Sequence, residues 1–272
     1  MLYGVDLEEL KDKIKNEGKL RLRPSSLQQF LGCPFQWYQA QIRGDFQRPA
    51  AAAVAGTSLH KGAEMGYKDK IKLGQLPPVS FLTDVVAEEW KKLNEENDFE
   101  YGKGEDYYTY ENDLIKGMKD YYEDLMPITD PIDVEKRYTV KLDHPVFEDI
   151  SGTLDIVLDR GVVDLKHTKR KTSPDKYVLQ QSTYTWLRQQ NGEVSNFNEI
   201  HNVIRGKGVE RLALAPKIDY AKNVINQILD VTEKFYETGD PALFRGTNKY
   251  AYFLCSKDWC GYYSKCPFVQ GL

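Results

Sequence analysis

One stretch narrows the options more than any other in this 272-residue chain: Gly152-Thr-Leu-Asp-Ile-Val-Leu-Asp-Arg-Gly-Val-Val-Asp-Leu-Lys166. Two β-rich runs, Ser151–Leu158 and Val162–His167, flank Asp159-Arg160-Gly161, which is a hairpin signal. Side chains alternate faces along a strand, so Leu154, Ile156 and Leu158 form one face of the first run and Val163 and Leu165 one face of the second. With both apolar sets on the core, Asp155, Asp164 and Lys166 share the opposite face. A loop at Asp159-Arg160 sets Asp155 opposite Asp164, and a loop at Arg160-Gly161 sets it opposite Lys166. Either register keeps the three together, whereas a one-residue slip drives carboxylates among leucines. Two carboxylates at cross-strand distance repel unless a cation lies between them, and their oxygens suit a hard ion such as Mg²⁺. A lysine beside them can hold a phosphate oxygen or orient an attacking water. The competing reading is an exposed strand face with an ordinary Asp164–Lys166 surface pair.

The rest of the chain sets the context. Hydrophobic residues at 41% and charged residues at 29% suffice for a buried core and argue against disordered, collagenous and membrane classes. No apolar run approaches the ~18 residues of a membrane span, and the charged, helical start does not read as a signal peptide. A net charge of −4 disfavours bulk coating of nucleic acid but is compatible with an acidic metal site. Ser26-Leu-Gln-Gln29 reads as a capping box opening a helix, with a second helical piece from Pro34 through Phe35, Trp37 and Tyr38. Further helices are expected over Gly56–Lys72, Phe81–Asn97 and around Leu114–Leu125, with a loop over Asp98–Tyr110. Strands follow over Val134–Leu142 and in the hairpin, then a helix over Lys176–Gln190, a strand over Phe197–Arg205 and a helix over Lys217–Glu237. The order predicts an α/β core with a helical N-terminal half. It divides the chain into a helical lead-in (1–24), a helical half carrying Cys33 and His60 (25–131), an α/β core (132–237) and a C-terminal cysteine-cluster tail packed on the N-terminal helices (238–272).

Other candidate groups are sparser. His60 and Glu64 are one helical turn apart and could face a metal together, or form a solvated pair. Only four histidines are present (His60, His144, His167 and His201), too few for an all-histidine zinc site to be expected. Lys166, Lys169, Arg170 and Lys171 could hold phosphates, and Trp37, Tyr38, Tyr107, Tyr108 and Tyr110 could stack on unpaired bases or pack the core. Four cysteines are too few for a disulfide scaffold of this size; Cys33 stands alone, and Cys255, Cys260 and Cys266 sit near the other end. Thiolates alone suit iron–sulfur or zinc.

Taken in order, these pieces resemble the PD-(D/E)XK nuclease superfamily, and most nearly its RecB-like branch of AddB-type, CRISPR-adaptation and phage-encoded exonucleases. Ser25 to Pro34 looks like that branch's N-terminal helix and cysteine, and Gly56 to Glu64 like its histidine helix. Glu135 falls on a strand that often carries an acid, Gly152-Thr-Leu-Asp155 and Asp164-Leu-Lys166 look like the catalytic strands, and Gln180-Gln-Ser-Thr-Tyr184 like the Q-x-x-x-Y helix. The proline of the family name is absent, and the late cysteines are spaced C-x4-C-x5-C, wider in the first pair than in many relatives. The resemblance implies a restriction-endonuclease-like core, a mixed central sheet flanked by helices. It implies Mg²⁺ or Mn²⁺ on His60, Asp155, Asp164 and the Leu165 carbonyl, with Glu64 and Glu135 supporting the site from behind. Lys166 would orient the hydrolytic water, and Gln180 and Tyr184 would position Lys166 or the DNA backbone. Cys33, Cys255, Cys260 and Cys266 would hold a [4Fe–4S] cluster, with zinc as the alternative. The implied activity is a cytoplasmic DNA nuclease, an exonuclease on single-stranded ends, working alone or beside a helicase or recombinase; no G-x-x-x-x-G-K-[ST] motif is present, so any unwinding must come from a partner. A non-catalytic DNA-end-binding or docking module, a structure-directed endonuclease and a structural zinc protein are the alternatives.

Overall fold

The computed structural model describes residues 7–246, 255–257 and 260–270, so the start of the lead-in and parts of the expected cysteine tail lie outside the described residues. The elements in chain order are α1 (Leu7–Glu17), β1 (Leu20–Leu22), α2 (Pro24–Gly32), α3 (Pro34–Gln41), α4 (Ala51–Leu73), α5 (Val79–Glu96) and α6 (Tyr107–Asp124). There follow β2 (Asp133–Lys141), β3 (Phe147–Val157), β4 (Gly161–Thr168), α7 (Val178–Gln190), β5 (Phe197–Ile204), β6 (Gly208–Leu214) and α8 (Ile218–Thr238), with short turns of helix at Pro174–Tyr177, Pro241–Leu243, Tyr263–Lys265 and Pro267–Gln270. The architecture is the expected α/β class, a mixed sheet flanked by helices. The chain forms two compact units: one of residues 1–47, 139–152 and 217–272, the other of 48–138 and 153–216.

In the second unit the strand order is β3-β4-β5-β6. β3 and β4 are antiparallel, β4 and β5 parallel with Leu165 beside His201, and β5 and β6 antiparallel. Ile156, Val163, Leu165 and Val203 on one face of this sheet join a core with Leu59, Tyr67, Trp90, Leu114, Met118 and Tyr121 from α4, α5 and α6. Mid-helix glycine weakens a helix, yet α4 carries Gly62 and Gly66 because its neighbours come too close for a side chain. A Cβ on Gly62 would lie 2.4 Å from Val86 and 2.9 Å from the Met118 sulfur, and one on Gly66 2.5 Å from Met126. α7 covers the other face, tied down by Asn198, whose Nδ2 donates to the Gln181 carbonyl (2.7 Å) and whose Oδ1 accepts from Thr185 (3.0 Å).

The first unit has its own core. β1 runs parallel to the Phe147–Ile150 part of β3. Trp37 and Tyr38 are fully buried, Trp37 edge-on to Phe30 and Tyr38 stacked on Phe244 at 4.6 Å. His144 accepts from the Val146 and Phe147 amides through Nδ1 and bonds the Leu229 carbonyl through Nε2, a structural role.

Several local expectations are corrected. The capping box at Ser26 is not formed: α2 starts at Pro24, whose fixed φ suits the first helical position, and Ser26 Oγ donates back to the Arg23 carbonyl. α4 begins at Ala51, because the alanine run before Gly56 is strongly helix-forming. The Asp98–Tyr110 loop ends early, since Asp106 caps α6 by accepting from the Thr109 amide at 2.7 Å. Trp37, Tyr38 and Tyr110 are core residues, out of reach of nucleic-acid bases, whereas Tyr108 is 68% exposed. β1 and β6 were not anticipated.

Candidate active site

The catalytic-looking hairpin adopts the first of its two possible registers. Ile156 pairs with Val163 and Val157 with Val162, and the Leu158 amide donates to the Gly161 carbonyl at 3.0 Å, closing a two-residue turn at Asp159-Arg160. Continued inward, that register sets Asp155 opposite Asp164, on the face that Ile156 and Val163 leave. Asp155 Oδ2 accepts from the Leu165 amide at 2.8 Å and lies 3.5 Å from His60 Nδ1 on α4. Asp164 is almost fully buried, with Lys166 Nζ 2.6 Å from its Oδ2. The Lys166 ammonium also lies over the Tyr177 ring, 5.6 Å from its centre, a contact that no spacing in the sequence announced.

Glu135 enters the site from β2. Donor atoms of His60, Glu135 and Asp155 lie within 4.8 Å of one another, a spacing that could hold a metal ion. Glu135 is also, among the described residues, the one non-glycine with a positive φ (49°). Such backbone strain concentrates at functional sites. Glu64 is turned elsewhere, held by Lys61 (2.9 Å) and Lys68, which keep its carboxyl below the usual range against the effect of burial. On α7, Gln180 Nε2 donates to the Tyr184 hydroxyl at 2.7 Å. Burial, reinforced by Asp164 and Asp155, pushes that phenol well above its ordinary pKa, so it stays protonated.

Crowded acids shape the electrostatics. Burial raises Asp164 to about 6, with Asp155 adding to the rise and Lys166 opposing it. Burial and the Asp155 charge lift Glu135 to about 7. Burial would also lift Asp155, but the charge on His60 carries it below the ordinary value. His60 is driven down by burial and up by Asp155, and the carboxylate wins, bringing the imidazole to about 9. Protons on His60 and Glu135 therefore do the neutralising that a cation could do, and a divalent ion would displace them. The donors, two or three carboxylates with one imidazole, fit Mg²⁺ or Mn²⁺.

The sequence profile of the PD-(D/E)XK nuclease superfamily matches residues 21–267. The chain belongs to the PD-(D/E)XK nuclease superfamily. Nucleases of this superfamily use divalent metals, and the acidic cluster at His60, Glu135 and Asp155 is a possible site for one. Among solved structures, a provisionally assigned exonuclease from Eubacterium rectale shares the fold, with a TM-score of 0.54, 12% identity and 87% of each chain covered. No curated protein matches the sequence. Among the described residues, no helix is long and apolar enough to cross a membrane.

Proposed function

We propose that this PD-(D/E)XK protein is a Mg²⁺- or Mn²⁺-dependent deoxyribonuclease of RecB-like type that degrades DNA from single-stranded ends. The observation that carries this reading is the convergence of His60, Glu135 and Asp155 beside the buried Asp164–Lys166 pair. His60, Asp155, Asp164 and the Leu165 carbonyl would hold the cation, joined by Glu135. The bound cation supplies Lewis-acid polarisation of the phosphate and a hydrolytic water of lowered pKa. Lys166, fixed between Asp164 and the Tyr177 ring, presents an ammonium to the negative charge that develops on the phosphate. Tyr184 accepts from Gln180, and the two side chains together would position Lys166 or the DNA backbone.

The same reading assigns a [4Fe–4S] cluster to Cys33, Cys255, Cys260 and Cys266. None of the four is in a disulfide. Cys33, Cys260 and Cys266 are buried together with Phe35 and Tyr262, and Gln36 Nε2 donates to Cys260 Sγ at 3.1 Å. Burial, with Cys33 and Cys260 close by, pushes the Cys266 thiol up. These features fit an iron–sulfur cluster.

The test is incubation of the purified protein with end-labelled single- and double-stranded DNA, with Mn²⁺ and with chelator. Stepwise loss of nucleotides from single-stranded ends, only with metal, is expected. Internal cuts at junctions would favour a structure-directed endonuclease, and DNA binding with no cleavage a docking module.

A further inference from the structure

Arg188 is 1% exposed, and each side of its guanidinium is engaged. It follows Gln180 and Tyr184 at positions i, i+4 and i+8 of α7, so all three side chains line one strip of that helix. Arg188 Nη1 donates to the carbonyls of Leu158 (3.0 Å) and Gly161 (2.6 Å), and Nη2 to that of Asp159 (3.3 Å). These carbonyls form the turn of the hairpin that bears Asp155 and Asp164. Its Nε donates to Glu193 Oε2 at 2.9 Å. Glu193 in turn accepts from Lys136 Nζ (3.0 Å) and the Tyr138 hydroxyl (2.7 Å), which follow Glu135 on β2.

One ion pair, its arginine buried and its glutamate half-buried, thus ties together β2, the β3–β4 turn and α7. Those are the elements that bear Glu135, then Asp155 and Asp164, then Gln180 and Tyr184. The left-handed backbone at Glu135 persists only where its surroundings over-determine it, and Lys136 and Tyr138, just beyond it, are both anchored on Glu193. Cation sites are sensitive to the spacing of their donors, and the groups that orient ligands typically change metal affinity by about 10–100-fold.

We propose that the Arg188–Glu193 pair is the positioning device of the metal centre: it sets the spacing of Glu135 against Asp155 and Asp164, and with it the affinity of the site for its divalent cation. This rests on the metal-dependent nuclease reading above. Three variants of the full chain test it. Glu193→Gln keeps the shape and removes the charge. Arg188→Lys keeps the charge and loses the planar fork. The paired Arg188→Met, Glu193→Leu variant removes both charges, so that no buried guanidinium is left without its carboxylate.

Mn²⁺ affinity is measured by calorimetry, cleavage is followed across Mn²⁺ concentrations, and folding is checked by thermal melting. Folded variants should bind Mn²⁺ roughly 10–100-fold more weakly. Their kcat should return as Mn²⁺ is raised, with KM for DNA unchanged. Folded variants with wild-type Mn²⁺ affinity would overturn the proposal, and so would loss of the fold in all three, which would make the pair a stability element only. A wild-type protein that binds no Mn²⁺ would overturn the metal reading itself, and this proposal with it.

Discussion

Asp155 and Asp164 share one buried face yet titrate in opposite directions, because His60 stands beside the first while burial dominates at the second. For Asp164 the folded value of about 6 lies above the unfolded value of about 3.9. Folding therefore favours its protonated form. That contribution is complete below pH ~3.9 and is lost as the pH rises through ~6. At pH 8 the ionised carboxylate is a cost, offset in part by Lys166. Asp164→Asn is expected to melt at or slightly above the wild-type temperature at pH 8 while losing cleavage, because a cation ligand is gone. Lys166→Ala should retain Mn²⁺ binding and cut roughly 10²–10³-fold more slowly, the scale seen when one charge-stabilising donor is removed. Wild-type cleavage by either variant in an end-labelled DNA assay would place the active site elsewhere.

At the scale of elements, charge helps to attach α6. Arg205, just beyond β5, bonds Asp113 on α6 at 2.8 Å and Glu105 before it at 3.0 Å, and its guanidinium lies 4.1 Å from the centre of the Tyr110 ring. Lys169, just past β4, meets the same Glu105 oxygen at 2.9 Å. These donors, Lys169 foremost, hold the Glu105 carboxyl at about 2. Because the folded value lies below the unfolded value of about 4.3, Glu105 stabilises the fold above pH ~4.3, and this is lost as the pH falls toward ~2. Glu105→Gln should therefore cost about 1 kcal/mol at pH 7, a magnitude kept small by the exposure of Lys169. The gap from wild type should close as denaturation curves are repeated from pH 5 down to pH 2. A gap independent of pH would mean that shape, and not charge, is what Glu105 contributes.

For the whole molecule, the cysteines join residues more than two hundred positions apart. Closing so long a loop is entropically expensive, and a metal centre on four thiolates can hold it closed. Protein purified without oxygen is expected to be coloured, with about four irons per chain. Cys260→Ala should lose the colour and lower the melting temperature of the unit that contains it. Colourless protein with one tightly bound zinc would make the centre a structural zinc site, and four freely titrating thiols would remove the clamp altogether.

What the sequence alone determined was local and periodic. Alternation with period two placed Asp155, Asp164 and Lys166 on one face, and spacing of three and four placed Gln180 above Tyr184, because both patterns are written in consecutive residues. The order of such motifs was enough to indicate the superfamily. β1 has three residues, too few to show alternation. β6 contains Glu210 and Arg211 and only a short apolar end, so neither strand stood out. Two hairpin registers fit the sequence equally well, and that Glu135 meets His60 and Asp155 and that Trp37 and Tyr38 are core depended on partners tens to hundreds of residues away. So did Arg188. In the sequence it is a charged residue on a helix, and only the fold brings three turn carbonyls and Glu193 around it, since a buried charge is tolerated where every donor finds an acceptor.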